Sequence, residues 1–95
     1  MIAVRWTYLP KHKQFREFVE LFKAQMERTG TKGRIYKPNI SPYGKVAIEI
    51  EFESLAEYEK WFEQQVATPE NAAFLEKLSD LRRPGGSCEI WNLVE

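Results

Sequence analysis

Few residues of this chain are equipped for acid–base or nucleophilic chemistry, and their placement limits what that chemistry could be. His12 is the only histidine and Cys88 the only cysteine. His12 stands between Lys11 and Lys13 just ahead of an expected helix, a position from which a neutral imidazole could act as a base. No carboxylate is placed in sequence to orient it, and no nucleophile–base pair is evident. A solvated loop histidine is the simpler reading. One His and one Cys cannot form a zinc site, so no metal and no cofactor is expected, and the sequence singles out no catalytic residue. The stronger candidates are apolar. Trp6, Tyr8, Trp61 and Phe62, with Phe74 and, by strand parity, Asn92, are expected between a sheet and its helices, where an apolar pocket with few polar groups suits a small aromatic or acyl ligand. Ordinary core packing is the competing reading for the aromatic residues. For Asn92 it is that Trp91 and Leu93 turn to the helices instead, leaving the amide on the open side.

These residues depend on a handful of elements. From Lys45 to Glu53 the chain alternates, with Val46, Ile48, Ile50 and Phe52 on one side and Ala47, Glu49, Glu51 and Glu53 on the other, the pattern of a half-buried strand. Ser54 and Glu57 form a capping-box pair that starts a helix. Its inner face is Leu55, Tyr58, Trp61, Phe62 and Gln65 or Val66. Thr68-Pro69-Glu70 opens another helix, running to about Leu81 and burying Phe74, Leu75, Leu78 and Leu81. Pro84-Gly85-Gly86 breaks it. Earlier, Ile2 to Leu9 reads as a strand, and from Lys13 to about Arg28 the apolar stripe Phe15, Phe18, Val19, Phe22 and Met26 reads as a helix. Arg34 to Ile40 is a second strand, which Pro38 confines to an edge, and Ser41 to Gly44 suits a tight turn. Cys88 to Val94 completes the set.

The order βαββααβ, with right-handed crossovers, predicts an α+β, ferredoxin-like domain over residues 1–95. Its four-stranded antiparallel sheet has the order 4-1-3-2 and carries the helices on one face. The other face then holds Arg5 beside Glu49 and Glu51, with Trp91 and Leu93 across the first strand. A Trp and a Leu side by side on an uncovered face predict an interface. Two such sheets face to face make an isologous homodimer.

Composition is consistent with this. The chain is 43% hydrophobic and 14% aromatic, ample for one small core with apolar surface left for a partner or ligand. The lone cysteine, the lack of an apolar run of membrane length and the lack of a signal-like start predict a cytoplasmic protein with no membrane partner. Net charge is zero, yet residues 1–45 carry ten Lys or Arg against three Glu, and residues 46–95 carry four against eleven acids. The expectation is that the two halves interleave and their charges offset across the sheet. An RNA-recognition module shares the βαββαβ plan, but its third strand needs aromatic and basic residues. Ala47, Glu49, Glu51 and Glu53 form an acidic stripe instead, so no nucleic acid is expected. The anion loop of acylphosphatase-like enzymes is missing at Leu9-Pro10-Lys11, as are the paired cysteines of metal-carrying domains on this plan.

The alternating Glu strand, followed by Phe52-Glu53-Ser54-Leu55-Ala56-Glu57-Tyr58, Trp61-Phe62 and Thr68-Pro69-Glu70-Asn71, resembles the dimeric α+β barrel superfamily. That group includes antibiotic biosynthesis monooxygenases, NIPSNAP-like proteins and haem-degrading monooxygenases. The layout matches over nearly the whole chain, the motifs over residues 46–81. The resemblance implies a homodimer with sheets face to face and, in enzyme members, a pocket between sheet and helices. Haem-degrading relatives carry an axial histidine on the helix corresponding to residues 70–81; none is present here, so no haem is expected. Cofactor-free monooxygenase relatives work with aromatic and amide side chains, of which Trp61, Tyr58 and Asn92 are the right types.

Overall fold

A computed structural model describes residues 1–39 and 44–94. Along the chain it has β1 (Ile2–Tyr8), α1 (Phe15–Thr29), β2 (Gly33–Tyr36), β3 (Val46–Phe52), α2 (Leu55–Val66), α3 (Pro69–Leu81) and β4 (Ser87–Asn92). The strands form one antiparallel sheet in the order β2-β3-β1-β4, the expected 4-1-3-2. The expected tight turn rests on Ser41, Pro42 and Tyr43, which, like Ile40, lie outside the described residues.

Local chemistry explains most boundaries. Lys13 has φ 65°, so α1 starts two residues later than expected, at Phe15. It ends where Gly30 takes the left-handed conformation at φ 67° and donates its N–H to Glu27 O and Met26 O, a glycine stop. Ser54 Oγ accepts from Glu57 N at 3.3 Å and Thr68 Oγ1 from Asn71 N at 3.3 Å, with Pro69 in the first turn of α3. The strands are shorter than expected. β2 closes at Tyr36, before Pro38, which has no N–H to continue a ladder, and β4 closes at Asn92.

Core packing follows the alternation in β1 and β3. Val46 and Ile48 pack with Phe18 and Phe22 of α1 and Leu78 of α3, and Val4 is fully buried as well. The end of β1 is tied to the end of α3: Lys11 N donates to Leu81 O at 2.8 Å and Arg83 N to Leu9 O at 2.7 Å. Helix α2 is peripheral and has no buried residue. Leu55, Phe62 and Val66, expected on its inner face, are exposed, as is Leu75 of α3, because α2 stands off the sheet instead of lying flat on it. Uneven charge is offset as expected, with Arg5 and Arg34 from the basic half meeting Glu49 and Glu51 from the acidic half. No helix among the described residues is long and apolar enough to cross a membrane.

Candidate functional site

The gap beneath α2 is a cavity of ≈ 130 Å³, bounded by β1, β3 and all three helices. Trp6 and Tyr8 form its floor with Ile48 and Ile50, Phe22 and Met26 one wall, Trp61 and Phe62 another, and Phe74 and Leu78 a third. Aromatic contacts hold the walls in place. Trp6 meets Trp61 with ring centroids 5.9 Å apart and Tyr58 at 6.1 Å. Phe52 meets both Tyr58 and Trp61 at 5.4 Å, and Phe22 meets Phe74 edge-on at 5.1 Å. Such pairs add about 0.5–1.5 kcal/mol each beyond area burial, so α2 is fastened by tilted aromatic contacts while leaving space beneath it.

One end of the cavity is polar. Asn71, in the first turn of α3, is only 5% exposed, and both ends of its amide are hydrogen-bonded. Its Oδ1 accepts from Gln25 Nε2 at 2.8 Å and from Arg28 Nη2, and its Nδ2 donates to Gln65 Oε1 at 3.2 Å. Arg28 Nη2 also donates to Gln25 Oε1 at 2.6 Å. A buried amide without partners would cost about 1–3 kcal/mol; this one ties α1, α2 and α3 together. Gln25, Gln65 and Asn71 all line the cavity.

Titratable groups near the cavity are held neutral. Burial pushes the Tyr8 hydroxyl up to about 12, more than the Arg82 guanidinium, 5.1 Å from its ring, pulls it down. Burial also raises Tyr58 above the ordinary phenol value, with Cys88 adding to the rise, and raises the Cys88 thiol, against which its hydrogen bond with Tyr58 acts. At neutral pH these groups supply neither phenolate nor thiolate. Tyr8 is the only ionisable side chain among the described residues lining the cavity.

Of the ligand-binding residues expected from sequence, the cavity gathers Trp6, Tyr8, Trp61 and Phe62. His12 lies in the exposed turn before α1. Asn92 pairs with Ile2, which puts it on the helix-facing side of the sheet, but it stands on the edge strand, exposed, and does not line the cavity. The residues expected at an interface share the open side. Ala3 pairs with Glu51 on one flank and Trp91 on the other, and Arg5 with Glu49 and Glu89. Arg5 Nη2 donates to Glu49 Oε1 at 2.9 Å, and Arg34 reaches Glu51 Oε1 at 3.6 Å. Trp91 is 55% and Leu93 61% exposed.

Sequence reasoning missed Gln25, Arg28 and Asn71 as site residues. Gln25 carried a signal, since it continues the apolar stripe of α1 seven residues after Phe18 and three after Phe22. A polar residue at an apolar helical position marks a buried hydrogen-bonding site.

No family model and no curated protein matches the sequence, whereas solved structures match over almost its full length. An uncharacterized NIPSNAP domain protein from Burkholderia xenovorans has a TM-score of 0.84 at 12% identity, covering 99% of this chain and 95% of its own. A NIPSNAP family protein from Agrobacterium tumefaciens gives 0.83 at 17% identity, covering 99% and 93%. A structure described as an antibiotic biosynthesis monooxygenase gives 0.75 at 15% identity and covers 100% of both chains. The chain has an α+β, ferredoxin-like fold, shared with these structures. At such identities the likeness is one of fold, and a ferredoxin-like fold hosts many activities.

Proposed function

We propose that the protein is a cytoplasmic homodimer, joined through its open sheet faces, that binds a small apolar or aromatic ligand in the cavity under α2. The observation that carries the binding reading is the ≈ 130 Å³ space walled by aromatic side chains with a buried amide at one end. Comparable apolar cavities of about 150 Å³ accept benzene. Support for the dimer comes from Trp91 and Leu93 on the uncovered face, 55% and 61% exposed.

A second reading, a cofactor-independent monooxygenase or isomerase, is favoured by the fold shared with the structure described as an antibiotic biosynthesis monooxygenase. It ranks lower because the cavity-lining residues present no side chain poised to take a proton near neutral pH. The binding reading is tested by melting the protein with indole, toluene and hexanoate and confirming hits by calorimetry. A ligand at about 100 times its Kd should raise the melting temperature on the order of 10 °C. Leu75→Trp, which fills the rim, should abolish the rise. No shift with any compound, or an undiminished shift in that variant, would refute it.

A further inference from the structure

The polar end of the cavity has a chemical direction. Arginine only donates hydrogen bonds, and Arg28 Nη2 meets both Gln25 Oε1 and Asn71 Oδ1. Gln25 must therefore point its oxygen at Arg28 and its Nε2 at Asn71 Oδ1. Asn71 Oδ1 then accepts from two donors, and its Nδ2 turns to Gln65 Oε1. Each amide oxygen in this relay is engaged by a neighbour within it. N–H groups remain over on Gln25 Nε2, Gln65 Nε2 and Asn71 Nδ2, all belonging to residues that line the cavity. A ligand reaching this end meets donors, with the positive charge of Arg28 one amide behind them.

We propose that the cavity binds a small monocarboxylate with an aromatic or alkyl body. Its carboxylate accepts from the spare N–H groups of Gln65 and Asn71, and its body lies against Trp6, Trp61 and Phe74. A carboxylate taken out of water needs both hydrogen bonds and a compensating charge, and the relay supplies the first while Arg28 supplies the second. The cavity volume limits the ligand to about the size of a substituted benzene. This inference rests on the binding reading above.

Calorimetry with benzoate, toluene and benzylamine, three ligands built on one ring, tests it separately. Benzoate should bind about tenfold more tightly than toluene, the increment of a charge-assisted hydrogen bond, and benzylamine most weakly. In Gln65→Leu, a half-buried position, the benzoate-to-toluene ratio should fall to near one, and Arg28→Met should move it the same way. Toluene binding as tightly as benzoate would overturn the carboxylate assignment while leaving the cavity a binding site. So would a ratio unchanged in both variants. Failure of all three ligands to bind the folded protein would overturn the binding reading as well.

Discussion

Tyr8 shows how one side chain can serve the core and the cavity together. Its ring packs on Phe18 and Phe22, each with centroids 5.4 Å away, and the Arg82 guanidinium lies over it. Burial favours the neutral phenol, so its pKa rises from the ordinary 10.0 to about 12. The linkage has a definite sign. Below pH 10 the hydroxyl is protonated in folded and unfolded chains alike, and its contribution is intact. Between pH 10 and 12 the unfolded chain releases the proton while the folded one keeps it, so stability is lost as pH rises, by up to ~3 kcal/mol. Urea midpoints should fall across that window, and fall less in Tyr8→Phe; equal falls in both proteins would contradict the assignment. Gly86 is a second position where one residue decides local structure. It has φ 102° directly before β4, and a Cβ there would sit 2.2 Å from Thr7 O. Gly86→Ala should cost at least ~1–3 kcal/mol in urea denaturation, whereas Gly44→Ala, which meets nothing within 4 Å, should be near neutral. At this scale the sequence is readable where a residue's type is unusual for its setting, as with Gln25 in an apolar stripe. It is not readable where three helices must meet to define the environment, as they do around Asn71.

The elements were legible because their signals are local. Alternation in β3, the Ser54 cap with its acceptor bond from Glu57 N, and Thr68-Pro69 at the head of α3 act over a few residues and need no knowledge of the tertiary fold. Strand order followed from crossover handedness, and the edge position it gives β2 agrees independently with Pro38. A pocket between sheet and helices was expected, but its extent was not legible, because a stripe such as Leu55, Tyr58, Trp61, Phe62 and Val66 gives a helix's direction but not its height above the sheet. That height has consequences. With no buried residue of its own, α2 should be the least protected helix in hydrogen exchange, opening well below the global unfolding free energy. Protection equal to that of α1 would mean that α2 packs more tightly than its exposure indicates. Ser54→Ala should lower stability by ~1 kcal/mol and speed exchange in α2 selectively. Thr68→Ala removes the acceptor that fixes Asn71 N and should loosen both α3 and the amide relay.

For the whole molecule, the sheet has helices on one side and exposed apolar residues on the other. Along β4 both sides are open: Ile90 on the helix-facing side and Trp91 on the other are each about half exposed. A strand paired to only one neighbour and covered on neither face gains little from burial, and an edge of this kind is ordinarily protected by charge or by a partner. Here β4 carries a single charge, Glu89 opposite Arg5, while Arg5, Arg34, Glu49 and Glu51 compensate one another over β1, β2 and β3. A second copy of the face would cover Trp91 and Leu93 at its β4 edge together with that ion-pair network on the central strands. The solution mass should therefore be twice 11.2 kDa by light scattering at micromolar concentration. Trp91→Asp with Leu93→Asp should halve it, because burying two like charges without partners in an interface costs several kcal/mol. The monomeric variant should still bind the cavity ligand, since none of the residues lining the cavity lies on the open face. A native monomer would show that these apolar side chains face water or a different partner; a variant that stays dimeric would place the interface elsewhere on the surface.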